Sequence, residues 1–238
     1  MDFLLVHGTT QSPASWQRLT ELLERHGHRV RAADFPVDRP ELLAADYARI
    51  AAEQVELAGA PLVDPVIVAH SAGGLLVPAI AAELGASRLV WLGAVVPDLL
   101  DGRSFAEEIA AASHEIFGAE WHTWTEPIAE TPAISAYFLF HDCDVDSLRW
   151  ALTTLRRFNP KAVIAEAPTV GPLHAPSTYV LPTGDRTLTP AWMRAAARDR
   201  LDAEIVEIGG DHCPHVSQPE LVAKILLGGQ ASGQLEGA

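Results

Sequence analysis

The sequence predicts an α/β fold: a doubly wound, mostly parallel sheet with helices on both faces. Short, uninterrupted apolar runs, typical of strands buried on both faces, alternate with segments whose apolar residues recur at helical spacing. The alternation is interrupted once, at about residues 99–175, where aromatic residues and histidines cluster around two prolines. We interpret that interruption as a helical cap inserted between strands of one domain spanning residues 1–238.

The predicted elements follow one another from the start of the chain. Strands are expected at residues 3–6, 30–33, 66–69, 89–92, 179–181 and 204–208. Helices are expected at residues 16–25, 40–57, 74–84, 191–200 and 219–227. Pro78 falls inside the third of these helices and predicts a kink, because proline removes a backbone donor. Residues 229–238 are rich in Gly, Gln and Ser and are expected to form a frayed tail.

The composition indicates a soluble protein of acidic character. Hydrophobic residues make up 48% of the chain, charged residues 20%, and the formal net charge is −14. Such a charge repels phosphate backbones and anionic lipid headgroups, so we expect neither nucleic acid nor membrane partners. With only two cysteines, Cys143 and Cys213, and no basic stretch at the N-terminus, we expect free thiols and a cytoplasmic location.

The strongest chemical motif is a serine at the end of a buried strand. Residues 66–74 read Val-Ile-Val-Ala-His-Ser-Ala-Gly-Gly, which places Ser71 in a small-residue turn between a strand and a helix. A nucleophile in such a sharp turn needs small neighbours two positions away, and Ala69 and Gly73 satisfy that need. The helix that follows directs the N–H of Ala72 to where an oxyanion would form.

Here the chain resembles the α/β-hydrolase superfamily, whose usual Gly-x-Ser-x-Gly pattern is met with Ala69 in the first glycine position. The resemblance extends to His7-Gly8-Thr9-Thr10 after the first strand, and it implies that the N–H groups of Thr9 and Ala72 form an oxyanion hole.

The same resemblance points to a catalytic histidine and acid late in the chain. It implies His212 as the general base, in the loop Gly209-Gly210-Asp211-His212 before the last helix, with His215 as the competing histidine. It implies Asp185, in a Gly-Asp turn after the fifth strand, as the acid, with Asp98 as the competing acid. The order Ser71, Asp185, His212 is typical of this fold.

Several further residues are expected to line an apolar substrate pocket beside the serine. His141 and the adjacent Asp142 could serve either in that pocket or in a structural hydrogen bond. The predicted pocket residues are Gly8, Thr10, His70, Trp121, Trp124, Tyr137, Phe140 and His141.

The chain most resembles a small capped subgroup that includes plant methylesterases and hydroxynitrile lyases. The lyases usually carry Thr at the position of Gly8 and Lys at that of Cys213, so the resemblance implies hydrolysis of carboxylic esters of small to medium apolar substrates. Two alternatives stay open: a lyase, cyclase or C–C bond enzyme on the same triad, and a receptor-like binding protein. His- and Cys-containing clusters lack paired metal-ligand spacing, so neither metal nor cofactor is expected. The expected partner is a small-molecule substrate, and a homodimer is possible.

Overall fold

The computed structural model describes residues 1–169 and 171–229 of the chain. Its centre is a sheet of six strands: β1 (Asp2–Val6), β2 (Arg29–Ala32), β3 (Val66–His70), β4 (Arg88–Leu92), β5 (Ser177–Pro182) and β6 (Glu204–Ile208). The strand order is β2-β1-β3-β4-β5-β6, and every neighbouring pair is parallel. The predicted α/β class is therefore confirmed, with a sheet that is parallel throughout.

Helices before and after the cap cover both faces of this sheet. They are α1 (Gln17–Arg25), α2 (Ala44–Leu57) and α3 (Val77–Leu84) and, after the cap, α8 (Pro190–Leu201), α9 (Pro214–Ser217) and α10 (Pro219–Leu226). Side chains alternate between two cores, as the period of a strand requires. In β1, Leu4 and Val6 join the core beneath α2, α3 and α8, whereas Phe3 and Leu5 join the core beneath α1 and α10.

The segment between β4 and β5 forms the cap. It contains α4 (Phe105–Ile116), α5 (Pro132–Phe138), α6 (Val145–Thr153) and α7 (Lys161–Ala165), together with two short 3-10 helices, Ala119–Thr123 and Ile128–Glu130. A small core of its own, built around Phe138 and Phe140, also includes Cys213, which follows His212 in the chain, and Val216 of α9. The cap is therefore packed directly onto the loop that carries His212.

Two local predictions differ from the structure. The helix expected at 74–84 is preceded by a 3-10 helix, Ser71–Leu76, so Pro78 lies in the first turn of α3. The N–H of a first-turn residue has no intrahelical acceptor, so proline costs nothing there and the predicted kink is wrong. The helix expected from residue 40 begins at Ala44.

Apart from Gly229, the tail predicted over 229–238 lies outside the described residues. Within the described part of the chain, no helix is long and apolar enough to cross a membrane.

Candidate active site

The serine turn is a strained junction between β3 and the 3-10 helix. Ser71 has a φ of 52°, in the left-handed region that non-glycine residues adopt at a cost of about 1–3 kcal/mol. The turn is also closely packed, since a Cβ on Gly73 would lie 2.7 Å from the carbonyl oxygen of His7. The turn places the Ser71 hydroxyl at the carboxyl edge of the sheet, with 9% of the residue exposed.

Three side chains from three different loops form one hydrogen-bonded chain at this edge. The distance from Ser71 Oγ to His212 Nε2 is 2.9 Å, and the distance from His212 Nδ1 to Asp185 Oδ2 is 2.6 Å. Because a carboxylate only accepts hydrogen bonds, His212 carries its proton on Nδ1 and offers a free lone pair on Nε2 to the serine. The arrangement can therefore take a proton from Ser71.

Backbone N–H groups of the residues that follow Asp185 hold its carboxylate in place. Asp185 Oδ1 accepts the N–H groups of Thr187 at 2.7 Å and Leu188 at 3.0 Å, which leaves Oδ2 for His212. Asp98, the competing acid, instead accepts backbone N–H groups of its own turn and pairs with Arg103. The structure thus brings Asp185 to His212 and keeps Asp98 in a local turn.

The competing histidine is also separated from the serine. His215 is fully buried, and its ring packs against Trp16 with a centroid distance of 4.1 Å. Neither of its ring nitrogens has a hydrogen-bond partner among the described residues. Burial lowers the pKa of His215 to about 3, so it is a neutral packing residue.

The loop after β1 lies directly against the serine. A Cβ on Gly8 would come within 2.6 Å of Ser71 Cβ, so only glycine fits on this backbone. Among the described residues the Thr9 N–H has no hydrogen-bond acceptor, and the Ala72 N–H lies in the first turn of a helix, where acceptors are also lacking. Both of the donors expected to form the oxyanion hole are therefore available to a ligand.

Cap residues hold the oxyanion loop in place. Thr10 has a positive φ of 63°, its N–H donates to the carbonyl oxygen of Phe158 at 2.9 Å, and its own carbonyl accepts the N–H of Arg156 at 3.0 Å. The Arg156 guanidinium also donates to the carbonyl oxygen of Phe35. These bonds offset the backbone strain at Thr10 and make the loop rigid.

A second cap segment joins the loops of the acid and the base. The Nε2 of His141 lies 3.0 Å from the carbonyl oxygen of Gly184, and the N–H of Asp142 donates to Asp211 Oδ2. Asp211 is buried beside His212, and desolvation raises its pKa. Of the two roles considered for His141 and Asp142, these contacts favour the structural one.

The other predicted pocket residues have varied positions. Trp121 stacks on Phe117 and contacts Phe138, and Trp124 is 46% exposed. The Tyr137 ring lies under the guanidinium of Arg186. His70 and Phe140 are each 1% exposed, and their surroundings favour packing and positioning over contact with substrate.

Two cavities are lined by residues outside the hydrogen-bonded chain. One, of about 620 Å³, runs along α3 beneath the segment before β5 and is lined by residues such as Leu75, Phe105 and Val163. Another, of about 350 Å³, lies between α4 and α8. Neither includes a residue of the hydrogen-bonded chain or of the predicted pocket, so the expected apolar pocket beside Ser71 stays a prediction.

Two residues that sequence reasoning did not single out contribute to the site. Asp211 accepts hydrogen bonds from the N–H groups of Asp142 and Cys213 and from the Ser217 hydroxyl, and so organises the histidine loop. Gln11, which is buried, donates to Cys213 Sγ. A signal existed for Asp211, which directly precedes His212 in a glycine-rich loop. None existed for Gln11, because its partner is 202 positions away.

The alpha/beta hydrolase family model matches residues 3–225, almost the whole chain. The chain belongs to the alpha/beta hydrolase family. No curated protein sequence matches it.

Solved structures of this α/β-hydrolase fold superimpose well on the chain. Polyneuridine aldehyde esterase is 23% identical with a TM-score of 0.76, covering 95% of this chain and 98% of the esterase. An Arabidopsis methylesterase is 16% identical with a TM-score of 0.71, covering 95% and 97%. An extracellular α/β-hydrolase from a Paenibacillus species is also 16% identical, with a TM-score of 0.71, covering 98% and 100%. The α/β-hydrolase fold is thus common to this chain and to proteins described as esterases.

Proposed function

We propose that this α/β hydrolase is a serine carboxylesterase acting on small to medium apolar esters. The observation that carries the proposal is the uninterrupted hydrogen-bonded chain Ser71, His212, Asp185 at the carboxyl edge of the sheet. The esterases among the similar structures support the reaction class.

The proposed reaction has two halves. In the first, His212 Nε2 takes the Ser71 proton while Oγ attacks the ester carbonyl, and the N–H groups of Thr9 and Ala72 bind the oxyanion. Asp185 stabilises the imidazolium, which then gives its proton to the departing alcohol and leaves an acyl group on Ser71. In the second, His212 takes a proton from water, the hydroxide attacks the acyl group, and the carboxylic acid departs as Ser71 regains its proton.

The steric situation at Gly8 favours esterase over lyase chemistry. A side chain at this position would meet Ser71 Cβ at 2.6 Å and the carbonyl oxygen of His70 at 2.9 Å. A threonine side chain, which hydroxynitrile lyases of the resembling subgroup usually carry there, does not fit on this backbone.

The test compares three proteins: the wild type, Ser71→Ala and the matched control Ser87→Ala. Ser87 is an exposed serine directly before β4, at the opposite edge of the sheet from Ser71. We expect a fluorophosphonate probe to label the wild type and Ser87→Ala, both of which also hydrolyse short-chain aryl esters. Ser71→Ala should do neither.

Other outcomes separate the alternatives. Labelling without ester turnover would contradict the esterase proposal and indicate a lyase or cyclase that uses the same triad. Ligand binding without labelling or turnover would indicate a receptor-like protein. Labelling that persists in Ser71→Ala would remove Ser71 as the nucleophile.

A further inference from the structure

The residue before the nucleophile makes a contact with the residue proposed as the base. The Nε2 of His70 lies 2.8 Å from the carbonyl oxygen of His212. Since a carbonyl can only accept, His70 carries its proton on Nε2. Its side chain is 1% exposed, and its Nδ1 has no partner among residues 1–169 and 171–229. This single hydrogen bond is therefore the polar contact by which the His70 side chain acts.

The same peptide group is held from its other side. The N–H of Cys213, which belongs to the peptide whose carbonyl His70 binds, donates to Asp211 Oδ1 at 3.1 Å. A peptide is planar, so two bonds at opposite ends fix its orientation. The Cα of His212, from which the imidazole projects, lies in the plane of that peptide, so the two bonds also limit where the imidazole can lie.

The contact between His70 and His212 matters because His70 is bonded directly to Ser71. His70 is the last residue of β3, and Ser71 is the next residue in the chain. Two neighbouring residues therefore contact His212 at two points. The Ser71 hydroxyl lies against its Nε2, and the His70 ring binds its backbone carbonyl. The strand end sets the position of both the nucleophile and the backbone of the base.

We propose that His70 is a positioning residue. Together with Asp211 on the other side of the peptide, it holds the His212 loop in a fixed position relative to Ser71. The proposal rests on the esterase function proposed above, because it assigns His70 to the same reaction. His70 touches no reacting atom. It acts by limiting how far the imidazole can move from the serine hydroxyl between turnovers.

The surroundings of His70 keep its imidazole uncharged. The His70 ring centroid lies 4.7 Å from that of His212 and 4.6 Å from that of His215. Burial, and to a lesser extent these two histidines, hold the pKa of His70 well below its ordinary value. His70 therefore stays uncharged when His212 takes the serine proton, and no like charge opposes that transfer.

The main experiment compares His70→Leu, which removes the donor, with His215→Leu. His215 is in the same cluster and equally buried, but it makes no hydrogen bond among the described residues. We expect His70→Leu to lower kcat and the rate of fluorophosphonate labelling about 10- to 100-fold with little change in KM, since small misplacements of a catalytic group cost rates of this order. His215→Leu should keep the wild-type kcat. Equal losses in both variants, or none in His70→Leu, would overturn the proposal.

A second pair covers the case in which His70→Leu does not fold. The amide of His70→Gln can reach the His212 carbonyl and that of His70→Asn, one methylene shorter, cannot. We expect His70→Gln to recover most of the wild-type kcat and His70→Asn to resemble the loss of the donor. Equal kcat values in the two variants contradict the positioning role.

The last readout does not depend on activity. The short His212–Asp185 hydrogen bond should produce a far-downfield proton signal in the NMR spectrum of the wild type. We expect this signal to broaden or shift in His70→Asn and to persist in His70→Gln and His215→Leu. An unchanged signal in His70→Asn would refute the inference even for a protein with no esterase activity, whereas a wild type that is not labelled would refute only the proposed function.

Discussion

Replacement of Asp185 by Asn changes one atom of the proposed triad, and the contacts around that atom determine how the new amide must orient. Oδ1 accepts two backbone N–H groups, from Thr187 at 2.7 Å and from Leu188 at 3.0 Å. Both partners are donors, so the amide oxygen of the new side chain must occupy the Oδ1 position. The NH2 group then faces His212 Nδ1 at the position where Oδ2 now lies, 2.6 Å away.

The consequence is the wrong tautomer of the imidazole. An NH2 group donates to Nδ1, so the ring proton moves to Nε2, and Nε2 can no longer accept the proton of Ser71. A loss of this kind lowers kcat about 1,000- to 10,000-fold, which corresponds to ~4–5.5 kcal/mol of transition-state stabilisation. The fold should persist, because both backbone bonds to the residue are kept.

The assay is steady-state hydrolysis of a short-chain aryl ester by Asp185→Asn and by the matched control Asp98→Asn. Asp98 is also buried and also accepts two backbone N–H groups, from Leu100 and Asp101, but it pairs with Arg103 instead of a histidine. We expect Asp98→Asn to keep most of the wild-type kcat. Comparable activity in the two variants, or a larger loss in Asp98→Asn, would refute the assignment of the acid.

Three further predictions test other parts of the structure. Gly8→Ala should abolish most ester hydrolysis and lower the thermal midpoint, because its Cβ would lie 2.9 Å from the carbonyl oxygen of His70; activity and melting curves like those of the wild type would contradict this. Burial, the largest cause, lowers the pKa of His7 to about 4 and that of His215 to about 3, from an ordinary 6.5. Between pH 6.5 and these lowered pKa values, the unfolded chain binds protons that the folded protein excludes. The free energy of unfolding therefore falls with decreasing pH by about 1.4 kcal/mol per pH unit for each histidine. Urea unfolding at neutral and acid pH should show a smaller fall in His215→Leu than in the wild type, and an equal fall would disprove the assignment. Burial also raises the pKa of the Cys143 thiol to about 12, so iodoacetamide should modify it much more slowly in the folded than in the urea-unfolded protein.

The sequence alone was sufficient for the elements of the core because their signals are local. A strand buried on both faces must be apolar throughout. The first and last residues of each of the six predicted strands agree with those of an observed strand to within two positions. The serine turn was also readable, since the steric demand for small neighbours falls on Ala69 and Gly73, two positions either side of Ser71. Family resemblance then supplied the chain order of the acid and the base.

The choice between competing residues required tertiary structure. Asp98 and Asp185 both follow strands of the sheet, and His212 and His215 are only three positions apart, so the sequence left both choices open. They differ in what surrounds them: Asp185 faces His212, whereas Asp98 faces its own turn, and His215 packs on Trp16. Such partners are set by how distant segments meet, which no local pattern records.

The same reason explains the roles of the residues around the site. That His141 lies against Gly184, and that His70 holds the carbonyl of His212, depends on contacts spanning 43 and 142 positions of the chain. The sequence by itself therefore determined the sheet, its serine turn and the types of residue the chemistry needs. Only the packing of the cap and the last loop onto the sheet edge decided which of those residues meet, because hydrogen-bond geometry depends on the relative placement of segments that are far apart along the chain.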